Sequence, residues 1–360
     1  MKTRHTLAPF ALAGAVALAA GCGGEDGPGK LGTVTLAGLP ASYPTSASRH
    51  AGHHMLALLN GTTWHLPPKG THWEQHPVSL ALIFNETLAD GRNYGAGANG
   101  VLYRQDGASW VATIDGVTSS VGTVPIAIGA TPSGDLFATT EEATSGTVRF
   151  YRFFRMTPGD TSWTKLGEGF APAVGRLWIT SAGRFIGWIR SVGLVEVNSA
   201  TAAQTTLVAC GHPSLTEGNC NDYSRPAIAD RAGNLLWPNS LDGNGYEVAL
   251  WKLAPGQTEP SQVAGPKLEK LQKSSGGFNL YRPGGPDAMS LYVDGSNRVW
   301  MAFGWGENGG SDVGYLYRAG GSGWEFQRDD LARIPRLFGD GKPPGVMGID
   351  AYGATLLQLP

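Results

Sequence analysis

Short runs of β-branched and aromatic residues alternate with turns rich in Gly, Pro and Asp along most of the chain. The clearest example is residues 124–166, where four such runs are separated by turns at 132–135, 140–146 and 158–160. Runs of four to eight residues bounded by these turn formers are typical of β-strands. This segment therefore predicts a meander of four antiparallel strands.

Two kinds of hairpin turn alternate along the rest of the chain. The first kind places Gly with Asp, Asn or Ser before an apolar strand, and it recurs near residues 91, 134, 183, 233, 296 and 352. The second kind carries a Gly turn, often with Ser or Thr before Trp, and it recurs near residues 61, 107, 159, 199, 256 and 321. Successive turns of the first kind lie roughly 52 residues apart, which is a repeat length typical of β-propellers.

The order of these hairpins predicts six blades, with seven as the alternative. The chain begins with a hairpin of the second kind at residues 58–64 and ends with one of the first kind at 349–359. Pairing the two would complete one blade from both ends of the chain and leave no open sheet edge in the ring. Residues 33–39 form a further strand, which is either an extra outer strand or part of a divergent seventh blade.

Composition agrees with a protein built from many tight turns. The chain of 360 residues has 53 glycines and only 16% charged residues, about twice the usual glycine content and well below the usual ~25% of charged residues. A formal net charge of -2 gives no general attraction to nucleic acid, which needs a concentrated basic face. We therefore expect no nucleic-acid partner.

The amino-terminal residues predict export. Lys2 and Arg4 precede an apolar run at 7–20, which is shorter than the roughly 20 residues that span a bilayer as a helix but fits a secretory signal. The sequence Leu-Ala-Ala-Gly-Cys at 18–22 resembles a bacterial lipoprotein signal, which implies cleavage after residue 21 and lipidation of Cys22. The alternative is an ordinary secretory signal with a coincidental cysteine.

The residues after Cys22 predict a tether and then a single domain. Residues 22–32 are polar and rich in glycine, as expected of a flexible linker, and residues 33–360 form the predicted propeller. No acidic residue follows Cys22 directly, which by the same resemblance implies the outer membrane. We therefore predict a protein of the bacterial cell envelope, bound to the membrane through Cys22.

Two cysteines remain in the predicted mature domain. Cys210 and Cys220 lie ten positions apart, and an even pair in an exported protein is most simply a disulfide. The alternative is a metal site that uses His212, but it lacks a second cysteine pair.

Two motifs resemble known propeller families. Residues 230–237 and 294–300 resemble the Asp-x-x-Gly-Asn-Leu-Trp repeats of regulator-type and related bacterial propellers. Residues 106–110 are similar to the Asp-box of sialidase-like propellers, shortened by one glycine. Both resemblances imply a fold and not an activity, and we expect the aromatic residues within them to pack between blades.

The long loops of the predicted propeller lie on the face that carries the second-to-third and blade-to-blade connections. Long loops on one rim of a rigid scaffold are where binding is usually found. On the later blades these loops carry polar and aromatic side chains that we predict to form a recognition surface. The candidates are Tyr223, Arg225, Asn239, Asp242, Trp305, Glu307 and Asp312.

The sequence therefore favours a binding module for a protein or glycan partner, with no catalytic residues. The alternative is a glycan-directed hydrolase or lyase that uses the same loops, which would require clustered carboxylate, Arg, Tyr or His side chains at the channel mouth. We expect no cofactor.

We also expect no metal. Six histidines fall between residues 50 and 76, but the adjacent His53 and His54 would point to opposite faces of a strand. The acidic turns at 242–245 and 307–312 do not follow a complete calcium-binding loop.

Overall fold

In the computed structural model, the described part of the chain consists almost entirely of β-strands and turns. The described residues are 32–40, 44–58, 60–77, 85–87, 92–96, 101–113, 123–144, 146–215, 227–240, 248–263, 289–294, 296–305, 313–320, 323–331, 336–339, 346–349 and 355–358. They contain no helix long and apolar enough to cross a membrane.

Six sheets are formed by consecutive strands, each sheet being an antiparallel meander of four strands. The first strand of the chain, β1 (Gly32–Thr35), belongs to none of them. Sheet I contains β2 (Pro44–His50), β3 (His53–Leu58), β4 (Thr63–Leu66) and β5 (Glu74–Gln75). Sheet II contains β6 (Asn85–Thr87), β7 (Asn93–Ala96), β8 (Leu102–Asp106) and β9 (Ser109–Ala112). Sheet III contains β10 (Thr123–Ala130), β11 (Leu136–Ala143), β12 (Val148–Met156) and β13 (Thr164–Pro172).

The later sheets repeat this order. Sheet IV contains β14 (Arg176–Ile179), β15 (Phe185–Ile189), β16 (Gly193–Val197) and β17 (Gln204–Ala209). Sheet V contains β18 (Ile228–Ala229), β19 (Leu235–Ser240), β20 (Val248–Leu253) and β21 (Ser261–Val263). Sheet VI contains β22 (Met289–Val293), β23 (Val299–Trp305), β24 (Val313–Gly320) and β25 (Gly323–Leu331).

Sheet VII joins the two ends of the described chain. Its strands β26 (Arg336–Gly339), β27 (Val346–Ile349) and β28 (Thr355–Gln358) are consecutive, and β1 is its fourth strand. β1 runs antiparallel to β28, from the pair Gly32 and Gln358 to the pair Thr35 and Thr355. Leu36, Leu58, Phe338 and Leu356 then share one buried cluster. Sheets I and VII are therefore packed together across the chain ends.

The first strand of each sheet contacts the first strand of the next. These contacts run from β2 through β6, β10, β14, β18 and β22 to β26, and β26 in turn contacts β2. Apolar clusters fill the spaces between the sheets. Tyr151 and Phe153 of sheet III, for example, pack with Leu177, Phe185 and Val195 of sheet IV.

The structure corrects the hairpin assignment at the beginning of the chain. The described part of the chain contains seven four-stranded sheets, whereas the turn signatures predicted six. The hairpin at 58–64 does not pair with the last hairpin, because it joins β3 to β4 within sheet I. The missed turn of the first kind is Ala51-Gly52, where both residues have positive φ, 49° and 81°. A two-residue turn of this type usually contains Asn, Asp or Gly at its first position, and Ala51 stands there instead, so this turn was not predicted.

The final hairpin was also placed one position too early within its sheet. The turn near residue 352 joins the second and third strands of sheet VII rather than the first and second. β1 pairs with β28, the last strand of this hairpin. The sequence predicted a strand at residues 33–39 as either an extra outer strand or part of a seventh blade.

The aspartates of the repeat motif are structural. Asp294 Oδ1 accepts hydrogen bonds from the backbone N–H groups of Ser296 and Arg298. Its Oδ2 accepts from Arg298 Nε at 2.6 Å and from the buried Trp300 Nε1 at 3.0 Å. Asp230 closes the equivalent turn of sheet V with the same bonds to Ala232 and Asn234. These contacts agree with a motif that specifies a turn and an anchored tryptophan.

Candidate functional site

The seven residues of the predicted recognition surface lie in or beside the parts of the chain that are not described. Asn239 is in β19 and Trp305 is in β23, but their side chains fall outside the described structure. The remaining candidates, Tyr223, Arg225, Asp242, Glu307 and Asp312, lie outside the described residues. The surface on the later sheets therefore stays a prediction, and so does the enzymatic alternative that would use it.

The predicted covalent sites are outside the described residues as well. Cys22 and the rest of residues 1–31 are not described, so the signal peptide, the lipid anchor and the tether stay predictions. Cys210 takes part in a disulfide bond, but its predicted partner Cys220 lies outside the described residues. The pairing of the two cysteines therefore stays a prediction.

The most exposed large hydrophobic side chain in the described structure is Phe170, at 68%. It lies on β13, and two other exposed hydrophobic side chains, Val148 and Leu166, lie on β12 and β13. Single exposed apolar residues are ordinary, whereas a contiguous group marks a candidate interaction site. The outer strands of sheet III are therefore the candidate functional site in the described structure.

An aromatic pair forms the centre of this site. Phe150 and Phe170 are cross-strand neighbours, and their ring centroids are 4.7 Å apart with planes inclined at 50°. The Arg152 guanidinium lies over the Phe150 ring at 4.6 Å from its centroid. We call Val148, Phe150, Arg152, Glu168 and Phe170 the Phe170 surface.

Ion pairs hold the charged side of the Phe170 surface. Arg152 Nη2 donates to Glu142 Oε2 at 3.0 Å, and Arg152 Nε lies 3.5 Å from Glu168 Oε2. Lys165 Nζ lies 3.0 Å from the other oxygen of Glu168. Because these groups are partly exposed, each pair contributes little to stability. Their main effect is to fix Arg152 over the Phe150 ring, so the aromatic pair has a defined orientation.

Strand alternation explains why these side chains face outward. Along β12, Tyr151 and Phe153 are buried against sheet IV, so Val148, Phe150 and Arg152 point to the other face of the sheet. On β13, a Cβ atom at Gly169 would lie 2.2 Å from the carbonyl oxygen of Thr201. The absence of a side chain at Gly169 lets the β16–β17 turn of sheet IV cover one face of β13 and leaves Phe170 on the opposite face.

β13 is also an edge strand. It pairs with β12 on one side, and the order of strands in sheet III ends with it. An edge strand presents unpaired backbone N–H and C=O groups on its free side. The Phe170 surface therefore combines an apolar anchor with a backbone that can accept another strand.

The titratable groups on the opposite face of the same strands have structural roles. The Tyr151 hydroxyl accepts a hydrogen bond from Val174 N–H at 2.9 Å, and burial raises the pKa of Tyr151 to about 12. Burial also raises the pKa of Glu141, while the nearby Arg149 lowers it. A protonated tyrosine that anchors the connection to sheet IV is a structural element rather than an acid or base for catalysis.

The early histidines lie in sheet I and in the residues that border its strands. In the described part of the chain, no group of three or more His, Cys, Asp or Glu side chains is placed to hold a metal ion. His53 and His54 do point to opposite faces of β3, as strand alternation required. His53 contacts His65, and His54 packs against Phe338 of sheet VII.

Sequence reasoning missed the Phe170 surface because it examined loops and not outer strands. A signal was present in the alternation of Val148, Phe150 and Arg152, which places two apolar residues on the face opposite the one that packs on sheet IV. The two glycines beside Phe170 obscured it, since glycine within a strand weakens the pattern.

No protein-family model matches the chain, and no curated protein matches it. Among solved structures, the chain is similar to YCF48 bound to a D1 peptide, at 16% sequence identity and a TM-score of 0.51, covering 93% of this chain and 96% of that one. It is also similar to YCF48 from Cyanidioschyzon merolae, at 16% identity and a TM-score of 0.49, covering 91% and 98%. A third match is the computationally designed Ika8 protein, at 11% identity and a TM-score of 0.46, covering 91% and 99%.

The fold defines the class of the protein. The described chain consists of four-stranded antiparallel sheets arranged in sequence, and the first of these matches extends over nearly the whole of both chains. YCF48 is a β-propeller. The chain therefore has a β-propeller fold, and at 16% identity the likeness to YCF48 concerns the fold alone.

Proposed function

We propose that this chain is a protein-binding propeller that receives an extended segment of its partner at the Phe170 surface. The proposal is based on Phe170, which is exposed on the edge strand β13 and packs beside Phe150 of the neighbouring strand β12. Aromatic side chains are enriched at protein interfaces because they supply a large rigid contact area. An extended peptide that pairs with β13 would gain backbone hydrogen bonds from the strand and an apolar contact from Phe170.

The structural comparison supports a peptide ligand. The matched structure of YCF48 is bound to a D1 peptide, so a propeller of similar shape holds a peptide. At 16% sequence identity the likeness concerns the fold alone, so it does not locate a binding site in this chain. We therefore base the location of the site in this chain on the exposed residues of sheet III.

We further propose that the chain forms a closed ring of seven blades. The contacts between first strands support a ring, since they pass through all seven described sheets and return from β26 to β2. The pairing of β1 with β28 supports closure by the two ends of the chain. In a closed ring the first strand of every sheet packs between the first strands of its two neighbours, and only short outer edges of the sheets stay open.

We also propose that the ring is held at the outer membrane by a lipid on Cys22. Support comes from the sequence of residues 1–30, with its charged start, its apolar run, its small residues before Cys22 and its polar tether. In bacteria that express the chain, Cys22→Ala should move the protein from the membrane fraction to the soluble fraction. Continued sedimentation with membranes would refute the anchor.

Site-directed crosslinking tests the binding proposal. A photoreactive phenylalanine placed at Phe170 in the full-length chain should capture a protein partner in intact cells. The matched control is the same probe at Val192, which is exposed on sheet IV at 40%. Phe170→Ser should abolish crosslinking from a second probe at Leu166 without changing the melting temperature.

The outcomes separate the alternatives. Equal capture from Phe170 and Val192 would refute a specific site at the Phe170 surface. Capture of a glycan-bearing species only through its sugar would point to the glycan ligand that the sequence left open. Crosslinking from Leu166 that survives Phe170→Ser would show that Phe170 is not the anchor.

A further inference from the structure

The joint between sheets I and II combines an apolar contact, Met55 with Trp110 and Tyr103, with buried polar side chains. Ser48 Oγ donates to Gln105 Oε1 at 2.7 Å, and Gln105 Nε2 donates to the His53 carbonyl oxygen at 3.3 Å. Asn93 Nδ2 donates to the Arg49 carbonyl oxygen at 2.6 Å. Ser48, Gln105 and Asn93 are all buried, so breaking these hydrogen bonds would leave buried polar groups unsatisfied where the two sheets meet.

Two histidines of sheet I hold the β8–β9 hairpin of sheet II in different ways. His50 Nδ1 accepts a hydrogen bond from the backbone N–H of Gly107 at 2.9 Å. Since a backbone N–H can only donate, this contact requires that Nδ1 carry no proton. His76 Nε2 lies 3.2 Å from the Ala108 carbonyl oxygen, which can only accept, so His76 donates whether it is neutral or charged. Protonation of His50 at Nδ1 therefore breaks the hydrogen bond from Gly107, whereas protonation of His76 leaves its hydrogen bond to Ala108 intact.

A second contact that depends on charge lies within sheet I, between β3 and β4, and borders the joint: a Cβ atom at Gly107 would lie 3.8 Å from His53 Cδ2. His53 Nδ1 and His65 Nε2 are 2.8 Å apart, and the ring centroids are 5.1 Å apart with planes inclined at 20°. The distance between the centroids is close to the sum of the N···N distance and the distance from each centroid to its own nitrogen. The two nitrogens therefore lie on the line between the ring centres, and the rings face each other through these atoms. One proton fits between the two nitrogens. If both rings were protonated, two N–H groups would point at each other and two positive charges would repel, so the contact would break.

The surroundings of this pair disfavour additional positive charge. Burial lowers the pKa of His65, the adjacent His53 and His76 also lower it, and Glu74 raises it. Glu74 is the cross-strand neighbour of His65 on β5, and it is exposed.

Other charged groups surround the joint from the elements packed against it. Arg49 of β2 and His54 of β3 belong to sheet I, and the facing strand β8 contributes the exposed Arg104 and Asp106. Lys69 and His72 lie on the exposed β4–β5 connection. Of these, Asp106 is the carboxylate on the facing hairpin.

We propose that the joint between sheets I and II is an acid-sensitive contact, closed when His50 is neutral and the His53–His65 pair holds no more than one proton. As the pH falls through the ordinary titration range of histidine, the open joint gains protons that the closed joint excludes. The β8–β9 hairpin then separates from sheet I, while the hydrogen bond from His76 limits how far it moves. This inference goes beyond the binding proposal and does not depend on it.

Amide hydrogen exchange of the full-length chain tests the proposal. Between pH 7.5 and pH 6.0, exclusion of one proton from the closed joint at His50 should raise the opening of the joint about fourfold. After correction for the intrinsic exchange rate, residues 101–113 should lose protection by that factor. At pH 5.0 the loss should be larger, because the His53–His65 pair then takes its second proton. Strands β15 and β16 of sheet IV provide the internal control.

Substitutions at the joint separate this mechanism from general acid sensitivity. His50→Asn replaces Nδ1 with a carbonyl oxygen that accepts from Gly107 and does not titrate, so it should remove the fourfold change at pH 6.0. His65→Gln should remove the additional loss at pH 5.0. The matched control His72→Asn changes an exposed histidine and should respond like the wild-type chain.

Two results would overturn the proposal. The first is found in the wild-type chain alone, so it does not depend on whether any variant folds. It is a protection of residues 101–113 against amide exchange that stays constant between pH 7.5 and pH 5.0. The second is a His50→Asn variant that keeps wild-type protection at pH 7.5 and still opens fourfold at pH 6.0.

Discussion

His54 makes the stability of the propeller depend on pH. The side chain is 7% exposed, and neither ring nitrogen has a hydrogen-bond partner in the described structure. Its ring packs edge-on against Phe338, with centroids 5.9 Å apart. Burial is the largest cause, and the positive charge of Arg49 the next, of a pKa of His54 that is lowered from 6.5 to about 4. The folded chain therefore keeps this imidazole neutral where an unfolded chain would protonate it.

The sign and size of the effect follow from these two pKa values. Above pH 7 the imidazole is neutral in both states and contributes no pH dependence. Between pH 6.5 and pH 4 the unfolded state binds a proton that the folded state excludes, so the free energy of unfolding falls as the pH falls. The expected loss is about 2 kcal/mol at pH 5 and about 3 kcal/mol below pH 4.

Urea denaturation at pH 7.5, 6.0 and 5.0 measures this loss. We expect His54→Leu, which removes the titrating group and keeps an apolar side chain, to lose about 2 kcal/mol less than the wild-type chain between pH 7.5 and pH 5.0. His72→Leu changes an exposed histidine and should retain the wild-type slope. Protonation at the joint between sheets I and II affects both chains equally, so their difference isolates His54. Parallel pH profiles for the wild type and His54→Leu would refute this reasoning.

Three further predictions concern the packing of the ring. Asp294→Ala removes the acceptor for two backbone N–H groups and for Trp300 Nε1, and it should lower the free energy of unfolding by about 2–3 kcal/mol in urea denaturation; an unchanged midpoint would contradict the turn assignment. Gly169→Ala places a Cβ atom against the Thr201 carbonyl oxygen and should cost about 1–3 kcal/mol, which a preserved melting temperature would disprove. Deletion of residues 355–360 removes β28, the partner of β1, and should abolish cooperative thermal unfolding; a truncated chain that still melts in one sharp transition would exclude closure by the chain ends.

The repeat could be predicted from sequence because its turns need particular residues. At Gly134, Gly183 and Gly233 the backbone has positive φ, a conformation that glycine adopts without strain, so the glycines recur at the spacing of the sheets. Asp230 and Asp294 recur for a related reason, because each carboxylate accepts the N–H groups of its own turn. The sheet-forming units were therefore visible in the sequence.

The first and last sheets were harder to assign because the turn residues mislead there: the turn near residue 352 carries Asp350 and Gly353 but joins the second and third strands of its sheet. Ala51 adopts positive φ without Asp or Asn nearby, and the identity of the strand next to β28 depends on a contact between residues more than 300 positions apart. Nothing local in residues 32–35 indicates that partner.

The candidate site could not be predicted for a similar reason. Phe170 differs from the buried Phe153 in its strand, since it lies on the edge strand β13, and in its face, which is set by the β16–β17 turn packing over Gly169. The joint between sheets I and II likewise combines His50 with Gly107, which are brought together by the packing of two sheets. The histidines between residues 50 and 76 were not expected to bind a metal, but nothing in the sequence indicated a contact with Gly107 either.

The pairing of β1 with β28 imposes an order on the assembly of the molecule. β1 is the first described strand to be synthesised, yet its partner is the last. During synthesis and any passage across a membrane, β1 must therefore wait, unpaired, until the other sheets have emerged. The final step of folding is then the docking of an early strand onto a late one, so chaperones that protect exposed strands would act on this protein at its amino-terminal end.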